Sequence, residues 1–482
     1  MLFRRFKMVL CECGGYQSID EPMATAEGGQ RLPLIVVMTA VLRLFKEEAI
    51  AHLSSLSEVA RTVEDISWVL TIPAIYDDYS KRFMRVAAHK AGIISTVDSS
   101  SLQLCLEPEA ACLAMTSSEA PHLARPGTKV MILDCGGGTV NITTHEVLSM
   151  DPLRLKEMLP PTGGAWGSTC VDSAFMKWCE DFLGDQHYTQ LRGTASFYNL
   201  LTQWETGKTA FGGGQDERIP GVLTCNHLSD TLPILKPQEL RAAFNDGQPP
   251  ERHVKGTKLI VVLPSSLVRS FFDPTIANIV NCLRDTRRNP LFGRLQYVFL
   301  VGGFSSSPLL QAAARTELEG EGCAVVAALR PGVAIVRGAA LFANNAEVFT
   351  TRKARLTYGV ISSIVYNHRN PEHVHRRTAS PVFDDDGKEM IDTFSSHIKV
   401  GEDIPQDGVC PVQSYVPVLR TQSEIFFRVL ASHKSNISFP DKDATFPVGE
   451  VTVPMDMTAS FANRGVKVQF VFGGTEFMVN CF

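Results

Sequence analysis

The stretch Ile132-Leu133-Asp134-Cys135-Gly136-Gly137-Gly138-Thr139-Val140-Asn141-Ile142 constrains this chain more than any other, because an apolar run ends in an acid and turns through three glycines into a second apolar run. Glycine reaches positive φ at little cost, and three in a row remove every Cβ from the approach path. Successive backbone N–H groups are then free to converge on an anion. Asp134 stands at the strand's end, where a carboxylate can hold a water of a hydrated Mg²⁺, and Thr139 adds a hydroxyl donor. The ligand-free alternative is a glycine-rich hairpin turn.

Other segments repeat the theme. Tyr297-Val298-Phe299-Leu300-Val301-Gly302-Gly303-Phe304-Ser305 is again an apolar strand running into paired glycines, with a Ser/Pro helix start beyond it. Gly163-Gly164 precedes a helical stretch beginning near Ser168, and Glu107-Pro108-Glu109-Ala110-Ala111 puts an acid where a loop enters an Ala-rich helix. Residues 68–72 read as an apolar strand, 80–91 carry Phe83, Val86, Ala87 and Ala91 at helical spacing, and 102–106 followed by 108–115 repeats that unit. Such alternation predicts an α/β fold in which helices cover sheets. In open α/β sheets ligands collect beyond the carboxyl ends of strands, where Glu107, Asp134 and Gly302-Gly303 all fall.

In this order and at these spacings the motifs resemble those of the actin-like ATPase superfamily and, within it, the heat-shock 70 family. Ile72-Pro73-Ala74-Ile75-Tyr76, Phe83-Met84-Arg85-Val86-Ala87 and Gly163-Gly164-Ala165-Trp166-Gly167-Ser168-Thr169-Cys170-Val171-Asp172 are similar to the divergent member-12 branch, of the 12A and 12B type, and the likeness runs from Leu32 onward. The resemblance implies a two-lobed, ribonuclease H-like nucleotide-binding fold with a β-rich C-terminal region. Residues 1–31 would be an atypical amino-terminal segment, with disorder as one reading. Residues 32–126 would form the rest of a first lobe, 127–348 a second lobe with an adenosine-side helical subdomain near 182–258, and 349–482 a β-rich domain without the family's evident peptide groove or helical lid.

The resemblance also implies ATP or ADP as ligand, with Mg²⁺. Gly136, Gly137, Gly138 and Thr139 would donate to the β- and γ-phosphates. Asp134 and Glu107, the candidate catalytic pair, would stand around the waters of the Mg²⁺. Gly163 and Gly164 would lie close to the phosphates or ribose, and Gly302, Gly303 and Ser305 would line the adenosine pocket. Glu205 and Lys208, three apart on one helix face, would reach the ribose; a surface ion pair is the alternative.

Three departures from the family pattern bear on activity. The first phosphate loop, a strand carrying Asp-x-Gly-Thr-Thr, is not recognisable before Leu32, and no strand-Asp precedes the glycine pair of Cys13-Gly14-Gly15-Tyr16. Either a longer transcript supplies that loop or the protein works with half a phosphate clamp. Asn141 stands where the family has a second Asp, and an amide neither accepts a proton as a base nor adds charge toward a hydrated cation. Thr209 replaces an Arg that stacks on adenine. The expectation is an ATP/ADP-binding, chaperone-type protein with weak or absent hydrolysis. The alternatives are a pseudo-ATPase interaction scaffold and, more weakly, a metabolite kinase of the same superfamily.

Composition narrows the remaining classes. With 482 residues, 44% of them hydrophobic, the chain can bury a core in two or three domains. A net charge of -5 gives no general pull toward nucleic acid. Twelve cysteines without a CxxC pair or zinc spacing fit reduced thiols in a cytoplasmic protein. The apolar run from Leu32 is broken at Arg43, well short of the roughly 20 residues a membrane span needs, and continues as an amphipathic helix toward Leu53. His373-Val374-His375-Arg376-Arg377 reads as a solvated basic loop, and Asp384 to Glu389 as a charged turn. Client or signalling partners are expected from the resemblance, without identity.

Overall fold

In a computed structural model, the structure describes residues 2–11, 18–26, 29–56, 61–214, 219–224, 237–256, 260–290, 293–318, 322–377, 381–405 and 407–482. The Cys13–Tyr16 glycine pair lies outside them. The chain forms two compact units. One holds Met1–Tyr76, Phe83–Val147 and Pro161–Asn345; the other holds Asp77–Arg82, Leu148–Pro160 and Ala346–Phe482.

The first unit opens with a 3-10 turn, Phe6–Leu10. Strands β1 (Met23–Thr25) and β2 (Arg31–Pro33) then pair antiparallel and lead into α1 (Leu34–Ser55), which buries Leu34, Ile35, Val37, Met38 and Leu42. No helix among the described residues is long and apolar enough to cross a membrane. The predicted strand-helix repeat follows as β3 (Trp68–Ile72), α2 (Asp78–Lys90), β4 (Leu102–Leu106) and α3 (Glu107–Ala114), with β3 and β4 parallel. Next come β5 (Lys129–Cys135), β6 (Val140–Met150) and β7 (Leu153–Gly164), of which residues 148–160 belong to the second unit, then α4 (Ser168–Leu183), α5 (Asp185–Leu191) and α6 (Ala195–Ala210). The remainder is β8 (Ile219–Thr224), α7 (Pro237–Asn245), β9 (Lys255–Gly256), β10 (Ile260–Leu263), α8 (Ser265–Arg287), β11 (Tyr297–Val301), α9 (Pro308–Leu318), β12 (Ala324–Ala327) and α10 (Pro331–Asn344).

The central strands run in the order β12-β11-β5-β6. β11 lies parallel to both β12 and β5, whereas β5 and β6 form the antiparallel hairpin expected around the glycines. Val130 to Leu133 and Val298 to Val301 are wholly buried, which is why these strands read as continuous apolar runs rather than alternating ones. In register, Val301 sits beside Asp134, so the turn Gly302-Gly303 and the glycine loop leave the sheet at the same edge. Helix α10 packs on α3 with almost no clearance: a Cβ at Gly338 would lie 1.6 Å from the Ala110 carbonyl oxygen.

The second unit is β-rich. β13 (Phe349–Thr351) pairs with Leu155 and Lys156 of β7. Beyond it lie β14 (Thr357–Val365), α11 (Pro371–Arg376), β15 (Val382–Phe383), β16 (Glu389–Ile398), β17 (Gln413–Tyr415), β18 (Glu424–Ser432), β19 (Phe446–Pro454), β20 (Val466–Gly473) and β21 (Glu476–Cys481). Two antiparallel sheets result, ordered β15-β16-β14-β18-β19 and β17-β20-β21, around a core that includes Tyr358, Val360, Phe427, Val468 and Phe470. The basic segment at 373–377 is mostly helix rather than loop. Pro371 starts α11, Asn370 caps it, and both arginines are in ion pairs, Arg376 with Asp441 and Arg377 with Glu389. The acidic turn behaves as expected: the Lys388 carbonyl accepts from the Asp384 N–H, and Gly387 takes φ 73°.

Two outcomes follow from this packing. Gly338→Ala forces helix against helix and is expected to destabilise the chain by about 1–3 kcal/mol in urea denaturation. Gly332→Ala on the same helix, where nothing lies within 4 Å of an added Cβ, is expected to be neutral or to stabilise by about 0.4–1 kcal/mol. In the second unit, burial holds the His397 imidazole down to about 4, below its unfolded value near 6.5. The unfolded chain therefore binds the extra proton first, and stability falls as pH drops from about 6.5 toward 4. The urea midpoint should decline over that window, and less steeply in His397→Gln.

Candidate functional site

The glycine loop between β5 and β6 is fastened from one side. The carbonyl of Gly136 accepts from Ser168 N at 3.2 Å, that of Gly137 from Thr169 N at 2.8 Å, and that of Gly138 from Gly167 N at 3.1 Å. In a planar trans peptide each carbonyl opposes the next residue's N–H. The amides of Gly137, Gly138 and Thr139 are therefore turned away from the first turn of α4. The joint needs its glycines. A Cβ on Gly167 would lie 2.2 Å from the Gly137 oxygen, and one on Gly163, at φ 150°, would lie 2.0 Å from the Val140 oxygen. Gly164 is closed in by the Trp166 ring, 2.6 Å from where its Cβ would be. The pair at 163–164 thus lets β7 and the chain after it pass close to the loop. Gly137 is roomier, with only Thr169 Cγ2 at 4.0 Å.

Beneath the loop, Asp134 and Asn141 face each other across the hairpin and are both buried. The Asn141 amide nitrogen donates to Thr139 Oγ1 at 3.4 Å, while Asp134 Oδ1 and Asn141 Oδ1 are buried acceptors with no hydrogen-bond partner. Burial, together with the charge of Glu107, pushes the Asp134 carboxyl up to about 8, against the opposing pull of Lys7 and the Asn141 hydrogen bond. Glu107, at the start of α3, receives an ion pair from Lys7 at 2.5 Å. Two orphaned oxygens beside a second carboxylate form a hard, oxygen-only donor set of the kind Mg²⁺ prefers. Among the described residues no three His, Cys, Asp or Glu side chains close on one point, so the arrangement fits a cation held through its waters.

The second glycine turn meets the first at Asp134. Gly302 adopts φ 83°, and a Cβ there would lie 2.6 Å from Asp134 Oδ1; Gly303 faces open space. Ser305 is fully buried and donates to the Val301 carbonyl at 2.5 Å, so its hydroxyl secures the turn instead of facing a pocket.

On α6, Glu205 and Lys208 pair at 2.6 Å as their spacing predicts, but Lys208 is buried and also holds Asp172 of α4 at 2.8 Å. Trp204 Nε1 donates to the same Asp172 oxygen at 2.9 Å, and the Trp204 ring stacks on Phe175 with centroids 4.1 Å apart. Sequence reasoning gave neither Asp172 nor Trp204 a role. The signal available was the acid closing the Trp-Gly-Ser-Thr-Cys motif, one turn into the helix. A cavity of about 560 Å³ opens here, lined by Arg4, Arg5, Asp172, Phe197, Trp204 and Glu205 among others. That volume falls within the range of small-ligand sites.

A mixed sheet that brings two glycine turns and an acid to one edge, with Ala-rich and small-residue helices packed at close range, defines an actin-like ATPase fold with a β-rich C-terminal region. Comparison with known proteins narrows the class. The chain is 26% identical to heat shock 70 kDa protein 12A of Mus musculus over 99% of its own length and 77% of that protein's, and 25% identical to heat shock 70 kDa protein 12B of Homo sapiens with the same coverage. It is also 24% identical to a chaperone protein HscA homolog of Chromobacterium violaceum, over 68% of this chain and 44% of that one. No protein-family model matches it. The chain is thus similar, along nearly its whole length, to the 12A/12B-like branch of the heat-shock 70 family.

Asp172→Ala removes the acceptor shared by Trp204 and a buried ammonium. It is expected to cost about 1–3 kcal/mol and to red-shift tryptophan emission, whereas Glu205→Ala, at the exposed end of the network, should cost under about 1 kcal/mol.

Proposed function

We propose that this chain is an ATP/ADP-binding, chaperone-type protein of the member-12 kind within the heat-shock 70 family, using Mg²⁺ and hydrolysing ATP slowly or not at all. The observation that carries the reading is the orientation of the glycine loop: its carbonyls are taken up by α4, which leaves the amides of Gly137, Gly138 and Thr139 directed away from that helix. In this reading those amides and the Thr139 hydroxyl hold phosphate oxygens, a bound divalent cation screens the phosphate charge, and Asp134 and Glu107 hold its waters. Gly302-Gly303 passes the sugar side, and the cavity beside Trp204 and Glu205 supplies an apolar wall with a polar rim. Asn141 keeps the hairpin closed without offering a base, and phosphoryl transfer depends on positioning and charge neutralisation, so binding outlasts turnover. Relatives named as chaperones support the class; clients and cellular compartment, cytoplasmic by expectation, stay part of the proposal.

Isothermal titration with Mg-ADP and Mg-ATP tests it. Gly137→Val fills the cradle at a position with room in the folded chain, and it should weaken binding at least ~10-fold, equivalent to about 1.4 kcal/mol, while leaving the melting temperature nearly unchanged. Phosphate release from ATP should stay close to the uncatalysed rate. Absence of binding by both the wild-type chain and the amino-terminal variant described below would leave the scaffold reading in its place.

A further inference from the structure

The amino-terminal 3-10 turn is seated on the candidate site. Arg5 enters it at φ 55°, the only positive φ of a non-glycine residue among those described, a conformation that side chains with a Cβ adopt at a cost. Contacts on several sides hold it there. Arg5 donates to Ser173 Oγ at 3.1 Å and lies 3.8 Å from Asp172 on α4, while the Arg4 guanidinium stands over the Tyr198 ring on α6. The Lys7 ammonium pairs with Glu107, and the Lys7 carbonyl accepts from the Tyr76 hydroxyl at 3.1 Å. Met8 lies on the glycine loop so closely that a Cβ on Gly138 would fall 2.0 Å from its sulfur. Leu10 is buried behind them.

Each of these groups takes up a property that a cation-bound polyphosphate would need. The Lys7 ammonium supplies positive charge to the carboxylate that is expected to face hydrated Mg²⁺. The Met8 thioether covers the face of Gly138, where no side chain of the loop itself intervenes. An apolar sulfur on a glycine loop satisfies none of its N–H groups, so the contact shields the cradle without replacing the ligand's hydrogen bonds.

We propose that residues 4–8 are a tethered occupant of the cleft, which a nucleoside di- or triphosphate with its cation must displace in order to bind. The inference rests on the nucleotide reading above. Because the occupant is covalently attached, it competes at a high effective concentration, and the apparent affinity for nucleotide is reduced by the fraction of molecules in which the turn is lifted. Displacement would free two arginines and a lysine together, so ligand occupancy is coupled to exposure of a basic amino-terminal segment.

The test uses the full chain in two measurements. Titration with Mg-ADP compares wild type with Lys7→Ala/Met8→Ala, and with Lys7→Ala alone as a milder variant should the double one fold poorly. Hydrogen exchange of residues 2–11 in the wild type is followed with MgCl₂ alone and with saturating Mg-ADP. The proposal expects at least ~10-fold tighter binding by the variants and faster exchange of the segment only when nucleotide is present. Equal affinity in all chains, with exchange of 2–11 unchanged at saturation, overturns the displacement while nucleotide binding stands. Folded variants and wild type that all fail to bind overturn the nucleotide reading itself, and the competition falls with it.

Discussion

The first unit depends on the joint between the glycine loop and the first turn of α4. Three consecutive carbonyls of the loop accept from three consecutive amides, Gly167, Ser168 and Thr169, and those amides are the ones a helix start would otherwise leave without partners. One interaction set therefore caps a helix, fixes the peptide planes of the loop and aims the loop's own amides elsewhere. It works only at near-contact distance between backbones, which is why Gly167 and Gly163 admit no Cβ. Loosening it would disorder the loop and uncap α4 together.

Around that joint the site divides into a rigid half and a polar half. The rigid half is aromatic and ionic: Phe175 of α4 stacks on Trp204 of α6, and Asp172 of α4 accepts from both Trp204 and Lys208, so the two helices are joined by packing and by charge. The polar half, Asp134 with Asn141, is buried yet incompletely satisfied. Buried acceptors without donors are costly, and native chains keep them where a ligand, ion or water completes the set. The contrast between the two halves, one fully paired and one not, is itself a reason to look for chemistry at Asp134 rather than at Lys208.

Much of this was legible in the sequence, for reasons that differ by element. β5 and β11 were plain because strands buried on both faces are written as unbroken apolar runs, and α3 because Pro108 follows an acid at a helix start. α11 was missed because its six residues hold too little periodicity to separate a helix from a basic loop. Within the site, Glu205 and Lys208 were placed correctly on one helix face, since i,i+3 spacing is a local property. That Lys208 is buried against Asp172, 36 residues earlier, is not local, and no spacing rule reaches it. Ser305 looked like a pocket hydroxyl, yet it bonds a carbonyl four residues back, an outcome decided by the sheet edge above it.

What the sequence determined by itself was therefore the strands and helices with strong periodicity, the glycine turns, the family likeness and the identity of the acids at the strand ends. These rest on short-range physics: periodicity, the freedom of glycine and the breaking power of proline. The tertiary structure decided which of the glycines are packing joints and which face open space, and which acid keeps an oxygen without a partner and which is in an ion pair. It also decided that Lys7 reaches Glu107 and that Met8 lies on Gly138, both partners far along the chain from the amino-terminal turn. Those properties depend on distances between segments far apart in sequence, and a linear pattern carries no record of them.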